Sequence, residues 1–168
     1  FRVGKLSIGF NKSNGDLTTL DVSGSEMLLK SPKPHYWRAP IDNDYGNEMY
    51  TRLKAWKEAS ENQTLVSFSH KKTKQGHLVE SVFELAAVNS KAEMSYLIQP
   101  NGSVKVTHSF DYGGAHDNTE IPRVGLNMQL SLSLENVEWY GRGPHENYID
   151  RKASAFMGSY RAKVNEMK

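Results

Sequence analysis

Apolar residues recur at every second position through much of this chain, and that period most restricts the folds open to it. Val124, Leu126, Met128, Leu130, Leu132 and Leu134 are separated by Gly125, Asn127, Gln129, Ser131 and Ser133. Side chains along a strand point alternately to its two faces, so this run predicts one long strand with a buried face. Ala92, Met94, Tyr96 and Ile98 repeat the pattern with Glu93 and Ser95 between them. After Pro100-Asn101-Gly102 it resumes with Val104, Val106, His108 and Phe110. Asn-Gly between two alternating runs predicts a hairpin, because both residues tolerate positive φ. A second hairpin is predicted at Asn14-Gly15, between 6–10 and 17–22, and further strands at 64–70, 77–85 and 135–140.

One segment changes period. Met49, Leu53 and Trp56 recur at i, i+4 and i+7 among charged residues, which is a single apolar stripe on a short helix over about 48–59. Asn47 is placed to cap its N-terminus. No repeat at a fixed period and no linker composition interrupts the chain. At 168 residues it suits one domain, 1–168, able to bury roughly two-thirds of its unfolded surface. The expected fold is all-β: an antiparallel sandwich with one short helix.

Composition removes several functions. The net charge is only +2, so no dedicated nucleic-acid or membrane surface is expected. Mean hydropathy is −0.63 and no run of about 20 apolar residues occurs. With no cysteine, a disulfide framework, a thiolate metal site and a cysteine nucleophile are all excluded within the chain. The first residues, Phe1-Arg2-Val3, hold neither an initiator Met nor a signal peptide, as expected of a piece of a longer polypeptide. The cellular compartment stays open.

Two segments are denser in polar and aromatic groups than a plain sandwich requires. In the first, Trp37-Arg38-Ala39-Pro40-Ile41-Asp42-Asn43-Asp44, the proline holds Ala39 extended and predicts an irregular path for Arg38 and Asp42. A guanidinium fork, two carboxylates and an indole plate suit sugar hydroxyls and the C–H face of a sugar ring. The same groups equally suit a clip that locks a loop to a sheet. In the second, Tyr140 to Arg151, Gly141, Gly143 and Pro144 shape a tight path that carries Arg142, His145, Glu146, Asn147, Asp150 and Arg151. Glu146 and Asp150 could form an acid–base pair beside His145, or the segment could be a polar corner anchored by Asn147, Asp150 and Arg151.

Other signals are weaker. His108, Asp111, His116 and Asp117 lack the spacing of a metal site, and His108 lies on the apolar face of its strand, as a hydrogen-bonded core histidine would. Asn11, Asn62 and Asn101 begin N-x-S/T sequons. Lys71-Lys72-Thr73-Lys74 reads as a solvated turn, since it lacks the aromatics of a nucleic-acid platform.

Both dense segments carry a family resemblance. Trp37 to Asp44 resembles the W-R-A-P-T-D-N-D stretch of family 2 glycoside hydrolases of the β-galactosidase type, with Ile41 in place of threonine. Tyr140 to Arg151 is similar to that family's G-x-G-P-x-E-N-Y-x-D-R, and Ile121 to Asn127 resembles the strand before it. The resemblance implies the C-terminal domain of such enzymes, a galactose-mutarotase-like supersandwich, here in part and ending early, so that unpaired sheet edges leave room for a homo-oligomer. It also implies a catalytic barrel in the same polypeptide as partner and a galactoside as the parent's substrate. The two catalytic glutamates belong to that barrel, so this chain holds no catalytic residue and should not hydrolyse lactose alone. No cofactor or metal is expected in this segment, whereas magnesium and sodium are implied for the barrel. Trp37, Arg38, Asp42, Asn43, Asp44, Arg142, His145, Glu146, Asn147, Asp150 and Arg151 are then candidates for sugar binding or a domain interface. The expected function is that of an accessory domain; a carbohydrate-binding module and an aldose epimerase are the alternatives.

Overall fold

A computed structural model describes residues 1–113, 120–148 and 151–167. They form two compact units, Phe1–Gln129 and Leu130–Lys168. In the first unit, β1 (Arg2–Val3), β2 (Leu6–Phe10), β3 (Leu17–Val22) and β4 (Ser25–Glu26) make a four-stranded sheet in that order. β5 (Leu28–His35) follows, then three short helices, α1 (Asp42–Gly46), α2 (Met49–Arg52) and α3 (Lys54–Glu61). The second sheet is an antiparallel meander of β6 (Thr64–Thr73), β7 (Gly76–Leu85), β8 (Ser90–Ile98) and β9 (Val104–Asp111). β10 (Gly125–Leu130) pairs with β5. In the second unit, β11 (Asn136–Gly143) and β12 (Phe156–Lys163) form an antiparallel hairpin.

The period-two pattern does what it predicts in β8. Ser90, Ala92, Met94, Tyr96 and Ile98 are buried, while the residues between them are not. Met94, Tyr96 and Ile98 join Val79 and Phe83 of β7 against Ile8, Leu17 and Leu28, so one core lies between the two sheets. Each such side chain contributes about 1.5–3 kcal/mol by leaving water. The predicted hairpins form: Asn101-Gly102 joins β8 to β9, and Asn14-Gly15 joins β2 to β3. Gly15 is required twice over. Its φ is +75°, and a Cβ there would lie 2.7 Å from Leu65 Cδ1 and 3.1 Å from the Phe83 ring.

The helical segment departs from expectation. In place of one helix there are three, because Glu48 adopts a left-handed backbone (φ 56°) between α1 and α2, and Leu53 leaves the helical path between α2 and α3. Asn47 therefore closes α1 and does not cap the N-terminus of a longer helix. The apolar stripe survives the breaks: Met49, Leu53 and Trp56 are all buried, with Tyr36, Leu85, Val88 and Ala92, in a second core.

The run from Val124 to Leu134 is a correction. The strand stops at Leu130, where a turn begins with the Leu134 N–H donating to the Ser131 carbonyl at 3.0 Å. Leu126 packs on the first core, but Val124, Met128, Leu130, Leu132 and Leu134 are exposed, Leu132 by 87%. Among the described residues β10 pairs only with β5. β5 escaped prediction because it carries Pro32 and Pro34, which remove ladder donors and usually argue against a strand. Its single strand partner makes that loss tolerable, and Ser31 Oγ ties it to β3 by accepting the Leu17 N–H at 3.1 Å.

Candidate functional site

The two polar segments lie in different units. The first begins where β5 ends. Tyr36 is fully buried, and its ring packs on Trp56 and Phe110 at 5.7 and 5.0 Å between centroids. Its N–H donates to Ser60 Oγ at 2.9 Å, and that hydroxyl in turn donates to the Trp56 carbonyl at 2.7 Å. The Tyr36 hydroxyl lies 3.0 Å from His108 Nε2. Burial raises the Tyr36 pKa above the ordinary phenol value and lowers that of His108 below the ordinary imidazole value. The hydrogen bond predicted for His108 is present, with the ring half-buried.

With Tyr36 fixed, the motif residues take up distinct tasks. Trp37 is half-buried against the second core. Arg38 grips Asp44 with both terminal nitrogens, one contact being 2.8 Å, and its Nε donates to the Pro122 carbonyl at 3.3 Å. Asp44 is buried within α1 and also accepts the Ile41 N–H at 2.9 Å. Burial alone would raise the Asp44 carboxyl pKa, yet the Ile41 N–H and the Arg38 guanidinium together hold it below the usual carboxylate value. The pair thus clips the loop after β5 to the segment at Pro122. Asp42 and Asn43 lie exposed on α1, and Asp42 is helical where an irregular path was expected. The reason is local: Asp44 ties back to Ile41, which closes a helical turn that Pro40 does not disturb. Of the groups suited to sugar recognition here, Arg38 and Asp44 are occupied with each other. Asp42 and Asn43 face solvent.

The second segment leaves β11 at Gly143. Trp139 stacks on Tyr160 across the hairpin at 5.4 Å, and its Nε1–H donates to the Arg142 carbonyl at 3.1 Å. Gly143 lies beneath the same aromatic pair, and a Cβ there would come within 2.8 Å of the Tyr160 ring. Arg142 donates to the carbonyls of Lys152 and Ala155 at 3.1 and 2.7 Å, so it holds the returning chain against the end of β11. His145 places its ring nitrogens beside the carbonyls of Glu146 (2.8 Å) and Ser154 (3.2 Å). A neutral imidazole can donate to one of them. Glu146 and Arg151 approach to 3.7 Å but are exposed, which makes theirs a weak surface pair of about 0–1 kcal/mol.

Among the described residues the corner is anchored by Arg142, which the expectation for Asn147, Asp150 and Arg151 did not include. Asn147 is exposed and makes no hydrogen bond among the described residues, while Arg142 supplies the bonds to stranded carbonyls. The signal that pointed to Asn147 was its amide; the guanidinium two residues after Tyr140 reaches farther and offers more donors. Asp150, and with it the proposed Glu146–Asp150 pair, lies outside the described residues, as do His116 and Asp117. Within this unit Trp139, Arg142, His145, Glu146 and Arg151 border a groove of about 820 Å³. Among the described residues no three His, Asp or Glu side chains converge as metal ligands.

The family described as beta galactosidase small chain matches residues 2–168. A β-galactosidase of Priestia megaterium is 33% identical over 159 residues, which is 94% of this chain and 15% of that protein. One from Clostridium acetobutylicum is 33% identical over 152 residues, 90% of this chain and 17% of that protein. One from Halalkalibacterium halodurans is 31% identical over 164 residues, covering 96% and 16% respectively. The chain thus spans about one-sixth of the length of the relatives it matches.

Proposed function

The chain belongs to the β-galactosidase small-chain family, and from that premise we propose that it is an accessory β-domain of a larger β-galactosidase, placed C-terminal to a catalytic barrel and packed against it. The observation that carries the reading is the pairing of a match over nearly the whole chain with a share of only about one-sixth of each relative. A segment of that size holds a domain, and the remaining length has room for a barrel. Retaining hydrolysis needs two carboxyl groups about 5–5.5 Å apart across the glycosidic bond. Here Asp44 is sequestered by Arg38 and Glu146 is an exposed neighbour of Arg151. Neither is presented as half of such a pair, and we assign both catalytic carboxylates, with any magnesium or sodium, to the barrel.

In this role the Arg38–Asp44 clip and the Arg142 corner are scaffolding that sets the loops at the domain's edge. The exposed Asp42, Asn43 and Asn147 are left to meet the barrel or its galactoside. The experiment is a chromogenic β-galactoside assay on the purified chain and on the polypeptide that includes the barrel. Turnover is expected only from the latter, and Glu146→Gln is expected to leave most of it intact. Turnover by the chain alone, or a loss with Glu146→Gln as large as with a barrel glutamate removed, would overturn the assignment. The groove beside Trp139 favours one other reading, a sugar-binding module in its own right. Glycan titration of the chain separates the two, since saturable galactoside binding without the barrel belongs to the module alone.

A further inference from the structure

His70 and His77 take no part in either segment, yet they form the closest pair of imidazoles among the described residues. In the β6–β7 ladder His70 lies opposite Val79 and His77 lies opposite Lys72, so the two histidines are diagonal neighbours on one face. That face carries Val79 into the core, and the histidines sit at its rim beside the turn. Their rings stack at 5.2 Å between centroids and 28° between planes, with His70 Nε2 only 3.0 Å from His77 Nδ1. The Phe1 ring packs on both, at 4.7 and 5.0 Å. His70 is exposed and His77 half-buried, so the pair is held on one side and open to solvent on the other.

We propose that His70 and His77 form a two-imidazole site for a divalent transition-metal cation of the zinc, nickel or copper class. Imidazole nitrogens bind such metals at about 2.0–2.1 Å. Two ligands at that distance lie about 2.9 Å apart at a right angle and about 3.4 Å apart at the tetrahedral angle. The observed 3.0 Å falls within that span, so chelation requires the two rings to rotate until both nitrogens face one ion, without a change in their separation. Adjacent antiparallel strands fix the spacing, and Phe1 restricts the rotamers, which lowers the ordering cost of binding. In the metal-free pair the proton between the rings sits on one facing nitrogen. When a metal takes its place, that proton moves to the outer nitrogen of the same ring, His70 Nδ1 or His77 Nε2. Among the described residues no third His, Asp or Glu joins the pair, so the remaining positions are filled from solution. Magnesium and calcium prefer oxygen ligands and are excluded by this donor set.

The test is histidine footprinting with diethyl pyrocarbonate on the intact polypeptide that carries this chain, with modification of His70 and His77 read separately by peptide mass spectrometry. Zinc ion is expected to slow modification of both residues together, and magnesium at the same concentration to slow neither. In His70→Gln the zinc concentration that protects His77 is expected to rise about a hundredfold, the usual scale for losing one arm of a two-point attachment. His77→Gln should do the same to His70. Because His70 is exposed, its replacement leaves the fold intact, and unprotected His77 in that variant is read at the residue itself. Modification rates indifferent to zinc, or protection of one histidine that survives loss of the other, would overturn the site and leave an aromatic stack.

Discussion

Replacing Arg38 by alanine tests whether the first polar segment is a clip or a free binding surface. The partner left behind is Asp44, whose side chain is 7% exposed, while that of Arg38 is 27% exposed. Breaking a buried ion pair costs about 3–5 kcal/mol, because the survivor stays charged and unmatched in a poor solvent. Two features reduce this to about 2–4 kcal/mol: water reaches one side of Arg38, and Asp44 keeps its bond from the Ile41 N–H. The first unit, Phe1–Gln129, has an unfolding entropy of about 0.27 kcal/mol/K by the usual per-residue value. The expected fall in Tm is then about 7–15 °C, measured by circular dichroism on the purified chain. A double-mutant cycle with Asp44→Ala should return a coupling well above the about 0.5 kcal/mol of independent sites. The pH dependence has a definite sign. The folded Asp44 pKa is depressed, so its stabilisation is fully present above the ordinary carboxylate pKa of about 3.9 and is lost as pH falls through the folded value. The gap between wild type and Arg38→Ala should therefore narrow on acidification below about pH 4. A Tm within about 2 °C of wild type at neutral pH, with no coupling to Asp44, would refute the clip and return Arg38 to ligand or partner.

Other expectations follow from single features. Burial lowers the pKa of His108, and burial with the charge of Arg123 lowers that of His35. The unfolded chain thus binds more protons just below pH 6.5, and stability should fall on acidification there, by up to about 1.4 kcal/mol per pH unit for each histidine. Urea midpoints from pH 7.5 to 5 would show it, and a slope that His108→Gln leaves unchanged would exclude His108 as a source. Gly15→Ala meets both a left-handed backbone and the Leu65 and Phe83 side chains, so a loss of about 2–4 kcal/mol is expected in denaturant titration. A loss under about 1 kcal/mol would mean that the turn relaxes. In the second unit Arg142→Ala should cost about 1–3 kcal/mol and speed amide exchange over 152–156, whereas Asn147→Ala should stay within about 0.5 kcal/mol of wild type. The reverse order in an exchange experiment would restore Asn147 as the anchor.

The sequence by itself determined the β architecture, because a strand's two faces are written into alternate residues. β8 is legible in Ala92, Met94, Tyr96 and Ile98, and both tight hairpins are legible in their Asn-Gly pairs. The apolar stripe of Met49, Leu53 and Trp56 was legible as well, although the single helix it was read on is broken at Leu53. Family membership was legible in the two long motifs. What only the tertiary structure decided concerns partners distant in sequence. The choice of Asp44 over Asp42 for Arg38 rests on α1 turning one carboxylate inward and the other to solvent. The anchoring of the corner by Arg142 depends on where the carbonyls of Lys152 and Ala155 return. β5 was illegible because its prolines are acceptable only where one strand edge goes unused. The run after Val124 misled because alternation reports which face is apolar, not whether another layer lies over it. Burial is a property of what packs against a residue, and for Met128 or His108 that is set by chain arriving from elsewhere.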